Sequence, residues 1–320
     1  MLKQNDSAFE QINQAYNTVF RPDRLSLGLV VPLEAYMTGP VPTMKRHIER
    51  VQLAEELGSA AVWLRDIAFN VPSFGDAGQT FDPFVYLGLL SGCTNHIALG
   101  VASIVLPLRH PAHTAKAASS ADVLSGGRLL LGVASGDRPD EYPAMGKCFA
   151  ERGARFRDSF EYIRRMSEAG AAFDSPYGSP GAGIDMLPKP VGGKLPLLVT
   201  GSSRQSPDWI AANGDGWMTY PRSAAQQAHI IAGWRARTQS AGQAPKPAMQ
   251  SLYIDLADNP KASPQPIHLG FRSGSEYLCS HLSSLEKAGI NHVALNLRFN
   301  QADIETTLKR LAEDILPDFN

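Results

Sequence analysis

The run IALGVASIVLP (residues 97–107) is apolar except for Ser103, without alternation of polar and apolar positions. Such a strand is expected where helices cover both faces of a parallel sheet. It is followed by the helical pattern HTAKAASSADVLSGG (residues 113–127), which ends in two glycines of the kind that terminate helices. This stretch therefore predicts one strand–loop–helix unit of an α/β protein.

Seven further runs repeat this unit on both sides of it. The predicted strands are LSLGLVVP (25–32), AAVWLRD (60–66), RLLLGVAS (128–135), PLLVTG (196–201), GWMTY (216–220), MQSLYIDLA (249–257) and HVALNL (292–297). Eight units close a parallel barrel, which needs about 250 residues. We therefore predict an α/β fold, a (β/α)8 TIM barrel with insertions. A doubly wound open sheet is the competing architecture, but no G-x-G-x-x-G follows the first strand.

The domain organisation follows from the limits of the repeat. Residues 25–320 are predicted to form a single barrel domain. Residues 1–24 precede the first unit and are expected to be a helical extension that covers the barrel bottom or a neighbouring subunit. Two segments rich in proline and glycine, near residues 171–195 and 258–273, are predicted to be irregular insertions and candidate lids, because long structureless loops are uncommon in a compact domain.

Composition excludes several classes of partner and compartment. Thirty Lys plus Arg against 31 Asp plus Glu leave a net charge of -1, so no field attracts nucleic acid. Cys93, Cys148 and Cys279 are widely spaced and show no metal-ligand spacing to histidine, which predicts no metal site and thiols kept reduced in the cytoplasm. Asp6 and Glu10 fall where a signal peptide needs an apolar core, and no membrane span is expected.

Catalytic and binding residues of such a barrel lie at the C-terminal ends of its strands. The fifth strand is followed by GSSRQS (201–206), in which glycine allows close backbone approach and serine hydroxyls can donate to phosphate oxygens. We predict a phosphate-binding turn here, with an ordinary serine N-cap as the alternative. The run ASGDRP (134–139) after the fourth strand allows the same two interpretations, and Arg138 adds a positive charge.

Several motifs recur together in the order and spacing of one family. They are LGVASIVLPLRHP (99–111), LSGGR (124–128), LGVASG (131–136), DWIAANGDGW (208–217) and AGINHVALNL (288–297). With them, the sequence resembles the luciferase-like monooxygenase family over about residues 25–319. The resemblance implies a barrel that binds FMN, or the related deazaflavin, at the C-terminal ends of its strands.

The resemblance also assigns roles to individual residues. Ala102 and Ser103 match the place where the family commonly has a non-prolyl cis peptide beside the flavin ring. Ser203 and Ser206 match positions that hold the flavin phosphate, and Ser135 stands where bacterial luciferase has a phosphate-binding arginine. The expected cofactor-binding residues are Ala102, Ser103, Ser135, Gly136, Arg138, Gly201, Ser202, Ser203 and Ser206.

The catalytic residues are expected to differ from those of the bacterial luciferases. Those proteins carry an acidic residue followed by histidine after the second strand, whereas this chain has Asp66 followed by Ile67. An aliphatic side chain cannot relay a proton. Asp66 and Glu34 are therefore the candidate catalytic residues, with Asp137 and Tyr36 as further acid–base candidates.

These observations predict a flavin-dependent oxidoreductase. The leading hypothesis is a monooxygenase that uses reduced FMN and O2 on a small organic substrate, with a separate NAD(P)H-dependent flavin reductase as partner. The alternatives are a deazaflavin-dependent dehydrogenase and a non-catalytic flavin-binding protein. A homodimer is expected, and the alanine-rich helix near residues 112–124 is a candidate contact surface.

Overall fold

Parallel strands close into a barrel in the computed structural model of the chain, which describes residues 8–37, 39 and 41–319. The strands are β1 (Ser26–Val30), β2 (Ala61–Leu64), β3 (Ala98–Val105), β4 (Leu129–Ala134), β5 (Leu197–Thr200), β6 (Gly216–Thr219), β7 (Ala248–Leu256), β8 (Gln265–Ile267), β9 (Gly270–Ser273) and β10 (His292–Asn296). The α-helices are α1 (Gln14–Val19), α2 (His47–Glu56), α3 (Pro83–Cys93), α4 (Pro111–Leu124), α5 (Glu141–Ala144), α6 (Arg152–Ser167), α7 (Pro207–Asn213), α8 (Ala224–Ser240), α9 (Ser275–Lys287) and α10 (Ile304–Asp314).

The barrel consists of β1 to β7 and β10. Strands β1 to β7 pair in chain order, and β10 pairs in parallel with both β1 and β7. This closed ring confirms the predicted (β/α)8 barrel and excludes the open sheet. The eight barrel strands agree with their predicted positions to within two residues at each end. The agreement has a simple cause, because strands that are buried along their whole length, such as β1 and β10, consist mostly of apolar residues.

Helix α1 lies at the bottom of the barrel. Its buried residues Ala15, Tyr16 and Val19 pack with the inward-facing side chains of the strands, including Trp63. The Tyr16 hydroxyl donates a 2.6 Å hydrogen bond to the carbonyl oxygen of Asp215. Within the N-terminal extension proposed for residues 1–24, α1 thus covers the barrel of its own chain, and residues 1–7 lie outside the described residues.

The segment 258–273 contains two strands, so the prediction of an irregular insertion was wrong there. Strands β8 and β9 form an antiparallel hairpin, and β9 pairs in parallel with the end of β7. The hairpin forms because the long strand β7 extends past its barrel neighbours and offers its free edge to residues 270–273. This extension brings the hairpin to the upper rim of the barrel.

The segment 171–195 contains neither helix nor strand and lies on the outer surface of the barrel. The backbone N–H of Val191 donates a 2.8 Å hydrogen bond to Asp122 Oδ2 in α4, and Lys116 Nζ of the same helix donates to the carbonyl oxygen of Leu187. These contacts hold the segment beside α4, away from the upper rim. Its expected role as a lid over the site is therefore not supported by its position.

Helix α4 turns its alanines toward the barrel. Ala115, Ala118 and Ala121 are buried against the sheet, whereas Val123 and Leu124 are exposed. The alanine face is thus unavailable as the dimer contact that the sequence suggested. Within the described part of the chain, no helix is both long and apolar enough to cross a membrane.

Candidate active site

A cavity of about 840 Å³ opens at the C-terminal ends of the barrel strands. Residues from the ends of all eight barrel strands line it, and His268 and Leu269 of the β8–β9 hairpin contribute to its wall. Its size falls within the range of about 300–1,000 Å³ that small-molecule and cofactor sites occupy. The upper rim is therefore where a ligand of cofactor size can bind.

The floor of the cavity contains the predicted cis peptide. The Ala102-Ser103 bond is cis, and both residues line the cavity. Here the pairing register of β3 with β4 shifts between Val101 and Ile104. The Ser103 hydroxyl forms a hydrogen bond with the Thr200 hydroxyl at the end of β5. Thus the floor joins two strands that are not neighbours in the sheet.

Asp66 follows β2 and lines the cavity, but its carboxylate already accepts hydrogen bonds from other protein groups. Arg109 donates from Nε to Oδ2 at 3.0 Å and from Nη2 to Oδ1 at 2.7 Å. The backbone N–H of Val105 also donates to Oδ2, at 3.0 Å. Asp66 therefore ties the end of β3 to the loop that carries Arg109.

The structure does not bring Glu34 into the cavity, which corrects its selection as a candidate catalytic residue. Its Oε1 accepts the backbone N–H of Thr43 at 2.9 Å, and its Oε2 accepts that of Met44 at 3.0 Å. Glu34 is not among the described residues that line the cavity. The loop after β1 folds back so that this carboxylate satisfies backbone donors ahead of α2.

The predicted phosphate-binding turn follows β5 and faces the cavity. Gly201, Ser203 and Arg204 adopt positive φ angles of 55°, 43° and 61°. Left-handed non-glycine residues are uncommon and cluster at functional sites. Among the described residues, the backbone N–H groups of Ser202 and Ser203 have no hydrogen-bond acceptor. Successive free N–H groups in such a turn form an anion-binding concavity.

The three serines of the turn are not equivalent. Ser203 uses its hydroxyl proton on the carbonyl oxygen of Thr200, at 2.7 Å. Ser202 Oγ accepts the N–H of Arg204 at 3.3 Å, which leaves its own proton free to donate. Ser206 lies beyond the cavity lining and caps α7 by accepting the N–H of Trp209 at 3.2 Å. The N-cap alternative is therefore correct for Ser206, and Gly201 also lies outside the lining.

A glutamine that the sequence did not single out holds this turn in place. The buried side chain of Gln205 accepts two hydrogen bonds from Arg157 at 3.0 and 2.8 Å and donates to the carbonyl oxygen of Gly153 at 2.8 Å. A Cβ on Gly153 would lie 2.9 Å from the Cβ of Arg204. The start of α6 therefore packs directly against the turn.

The loop after β4 also borders the cavity. Ser135 and Gly136 line it, and Gly136 has a φ of 74° with no room for a side chain, since a Cβ would lie 2.7 Å from Val105 Cγ1. Arg138 Nη2 donates a 2.7 Å hydrogen bond to the carbonyl oxygen of Asp76, and its guanidinium lies 4.2 Å from the centroid of the Phe74 ring. Arg138 is thus directed toward the loop after β2.

Asp76 is the centre of a charge cluster that the sequence did not indicate. Arg65 Nη1 lies 2.5 Å from its Oδ2, and Arg298 Nη1 lies 3.2 Å from the same atom. Burial opposes ionisation of Asp76, but attraction to Arg65 outweighs it and the pKa of this carboxyl is lowered. Asp76 lies in a loop ten residues past Asp66, so the spacing of motifs could not identify it.

The family model for luciferase-like monooxygenases matches residues 25–266 of this chain. The chain belongs to the luciferase-like monooxygenase family. The resemblance seen in the sequence is thereby confirmed. Members of this family are enzymes, either flavin- or deazaflavin-dependent oxidoreductases or monooxygenases.

The curated proteins to which this chain is similar include an uncharacterized protein and a dehydrogenase. An uncharacterized protein of Mycobacterium tuberculosis is 34% identical over 161 residues, which are 47% of this chain and 56% of that protein. The chain therefore spans about half the length of the first curated relatives it matches. The F420-dependent hydroxymycolic acid dehydrogenase of M. tuberculosis is 28% identical over 238 residues, 70% of this chain and 60% of that protein.

The chain is also similar to a monooxygenase component and to a solved monooxygenase structure. The oxygenase component of the flavin-dependent trigonelline monooxygenase of Acinetobacter baylyi is 31% identical over 121 residues, 37% of this chain and 32% of that protein. Monooxygenase RslO1 from Streptomyces bottropensis superposes with a TM-score of 0.77 at 19% identity, covering 92% of this chain and 99% of that one. At that identity the structural likeness establishes the fold.

The cavity of this luciferase-like family member suits a flavin or deazaflavin. Arg138 Nη1 and Gln250 Nε2 belong to lining residues and are buried donors without an acceptor among the described residues. Buried donors of this kind need a partner, which a ring rich in carbonyl groups can provide. Small or unbranched apolar side chains such as Ala102, Met218 and Ala294 also line the cavity.

Proposed function

We propose that this chain is a flavin-dependent monooxygenase that uses reduced FMN and O2 to oxygenate a small organic substrate. The observation that carries the proposal is the rim cavity itself, with the Ala102-Ser103 peptide on its floor and, on one side, the turn after β5 whose Ser202 and Ser203 N–H groups have no acceptor among the described residues. The similarity to a monooxygenase oxygenase component supports a separate NAD(P)H-dependent reductase as the source of reduced FMN.

Different residues of this chain would hold different parts of the cofactor. Bound reduced FMN would supply two electrons to O2, so that one oxygen atom enters the substrate and the other leaves as water. The Ser202 hydroxyl and the N–H groups of Ser202 and Ser203 would hold the phosphate. Ala102 and Ser103 would support the ring from below, and Ser135, Gly136 and Arg138 would border it on the β4 side.

The cavity walls would exclude bulk water from the reacting atoms. His268 and Leu269 of the β8–β9 hairpin and Phe74 of the loop after β2 surround the cavity. Exclusion of water protects reactive oxygenating species and strengthens electrostatic interactions inside the site. Asp66 is proposed as a positioning residue, because its hydrogen bonds to Arg109 and Val105 fix the end of β3 beside the floor.

A deazaflavin-dependent dehydrogenase is the second candidate function. The observation that favours it is the long match to the F420-dependent dehydrogenase, which spans 70% of this chain, against 37% for the trigonelline monooxygenase component. Such an enzyme would transfer a hydride between substrate and deazaflavin without O2. Both functions use the same rim cavity, so the cofactor that binds separates them.

We also propose a homodimer in the cytoplasm. Helix α3 carries no charged residue, yet Val85 is 73% exposed and Leu89 is 43% exposed on its outer face. An apolar helix with an exposed apolar face is usually covered by a partner. The three cysteines are free thiols, as expected in a reducing compartment. Light scattering in solution checks the dimer, which a monomeric mass would contradict.

The deciding experiment is a comparison of cofactors on the purified chain. Anaerobic titration with reduced FMN, oxidised FMN and F420 should show tightest binding of reduced FMN. O2 uptake should then require both reduced FMN and a substrate that the protein converts. Tighter binding of F420, with hydride transfer in the absence of O2, would favour the dehydrogenase. Flavin binding without any turnover would indicate a non-catalytic flavin-binding protein.

A further inference from the structure

We propose that the substrate of this site carries a carboxylate group, which Arg65 and Arg298 bind at the cavity wall opposite the phosphate-binding turn. The inference rests on the proposed function, since it names the substrate class of the same cavity. It is carried by a surplus of fixed arginine side chains around one carboxylate, Asp76.

The order of the strands separates this wall from the turn. In the closed ring, β5 lies four strands from β1 in either direction. Arg65 follows β2 and Arg298 follows β10, the two neighbours of β1. The two arginines therefore lie across the barrel mouth from Ser202, and both line the cavity. A cofactor phosphate at the turn and an anionic group at this wall would occupy different ends of the site.

The carboxylate that contacts both arginines, Asp76, is already saturated. Asp76 Oδ2 faces both Arg65 and Arg298. Its Oδ1 accepts the hydroxyl of Tyr36 at 3.2 Å and the N–H of Gly78 at 2.9 Å. Two guanidinium groups thus share one negative charge. This leaves a net positive charge in a cavity that is enclosed mostly by protein. Such a charge is unfavourable unless an anion pairs with it.

The other carboxylates of this region do not supply the missing charge. Asp66 is engaged by Arg109 in two hydrogen bonds, Asp82, which also pairs with Arg109, is partly exposed, and Asp137 is exposed to solvent. Glu141 is buried, and the charged group that acts on it most strongly is Arg138 rather than Arg65 or Arg298. The charge of Arg138 faces Glu141 and Asp137, so Arg138 is not counted in the surplus at Arg65 and Arg298.

Both arginines are fixed in advance of binding. Asp76 holds the guanidinium of Arg65, and the Gln79 amide holds its main chain by accepting the backbone N–H at 2.7 Å and donating to the backbone carbonyl oxygen. Arg298 donates from Nη2 to the carbonyl oxygen of Gly75 at 3.0 Å, and its N–H is held by Asn296 Oδ1 at 3.0 Å. A fixed planar guanidinium loses little entropy on binding and matches the two oxygens of a carboxylate.

The test compares organic acids with their neutral amides on the FMN-loaded protein. Hexanoate, benzoate and succinate are each paired with the corresponding amide, and binding is followed as the shift in Tm and by calorimetry. A ligand that binds only the folded state raises its stability in proportion to the logarithm of its concentration over Kd. We expect at least one acid to bind ten-fold or more tightly than its amide.

Two substitutions locate the binding. Arg65→Gln and Arg298→Gln should each weaken the preferred acid at least ten-fold while changing FMN affinity by less than two-fold. Arg237→Gln is the matched control, because Arg237 is an exposed arginine on α8 that pairs with Asp208 on the surface. It should leave both affinities unchanged.

The inference is overturned if no acid binds more tightly than its amide, which is measured on the unsubstituted protein and does not require either variant to fold. It is also overturned if both arginine variants retain the acid preference. Failure of the proposed function looks different, because reduced FMN would not bind, or would bind without O2-dependent turnover, whether or not the arginines bind an acid. The comparison of acids and amides on the protein alone would then still report on the arginine wall.

Discussion

Arg109 holds the carboxylate of Asp66 through two hydrogen bonds, from Nε at 3.0 Å and from Nη2 at 2.7 Å. The same Asp66 accepts the N–H of Val105, immediately after the irregular part of β3. The position of the Ala102-Ser103 floor thus depends on a carboxylate that lies in the preceding unit of the barrel.

The first prediction concerns Asp66→Asn. An amide offers only one acceptor oxygen, so at least one charge-assisted hydrogen bond to Arg109 is lost. We expect the free energy of unfolding in urea to fall by about 2 kcal/mol, the usual value of a hydrogen bond to a charged group. If the variant keeps its stability and loses only turnover, together with one limb of the pH–rate profile, Asp66 is instead the catalytic acid or base.

The second prediction separates two serines of the turn after β5 that we propose to hold the FMN phosphate. Ser202→Ala removes a hydroxyl proton that is free to donate, and we expect FMN affinity to fall roughly ten-fold, about 1.4 kcal/mol. Ser206→Ala removes the N-cap of α7, and we expect a loss of about 1 kcal/mol in stability with unchanged FMN affinity. Fluorescence titration and thermal unfolding measure the two effects. If Ser206→Ala instead weakened FMN binding and Ser202→Ala did not, Ser206 would be the serine that contacts the phosphate.

The contrast between these serines shows how far the sequence could predict the site. The run GSSRQS follows a buried strand, so its place on the upper rim follows from the barrel alone. Which hydroxyl faces the ligand depends on the positive φ angles of Ser203 and Arg204. The turn with those angles is held by hydrogen bonds of Gln205 to Arg157 and Gly153, residues 48 and 52 positions away. No local pattern encodes such contacts.

Asp76 and the β8–β9 hairpin were missed for related reasons. Asp76 lies in an irregular loop, and its importance comes from Arg65 and Arg298, which converge on it only when the ring of strands closes. The hairpin strands are three and four residues long and form on the free edge of β7. Apolar periodicity identifies strands buried on both faces, and it does not identify short edge strands.

The third prediction concerns the contact between α1 and the barrel bottom. Asn13 is buried, and its Nδ2 donates to Asp122 Oδ1 and to the carbonyl oxygen of Leu129, both at 2.8 Å, while its Oδ1 caps α1. Asn13→Ala should therefore lower the free energy of unfolding by about 2–4 kcal/mol, because it leaves buried acceptors unsatisfied. Thr18→Ala, on the exposed side of α1, is the control and should change it by less than about 0.5 kcal/mol. If the two substitutions lowered the free energy of unfolding equally, the buried contacts of Asn13 would add nothing to stability beyond the helix propensity of α1.

The barrel bottom also contains a histidine whose protonation state follows from its partners. Trp63 Nε1 donates a 2.8 Å hydrogen bond to His292 Nε2, so that nitrogen carries a lone pair. His292 Nδ1 therefore carries the proton and donates to Ser26 Oγ at 2.7 Å, and Ser26 donates onward to the carbonyl oxygen of Val19. Complete burial of this neutral ring lowers its pKa from 6.5 to about 3.

The fourth prediction is that this histidine makes the fold sensitive to acid. Between pH 6.5 and about 3 the unfolded chain binds a proton at His292 and the folded chain does not, so stability falls as the pH is lowered through this window. The contribution to the slope is about 1.4 kcal/mol per pH unit. In His292→Gln that part of the slope should vanish, although stability at pH 8 is lower because the Trp63 contact is altered. His96→Gln, at an exposed histidine, should keep the slope. If urea unfolding shows the same pH dependence in the His292 variant as in the unsubstituted protein, other groups cause the acid sensitivity.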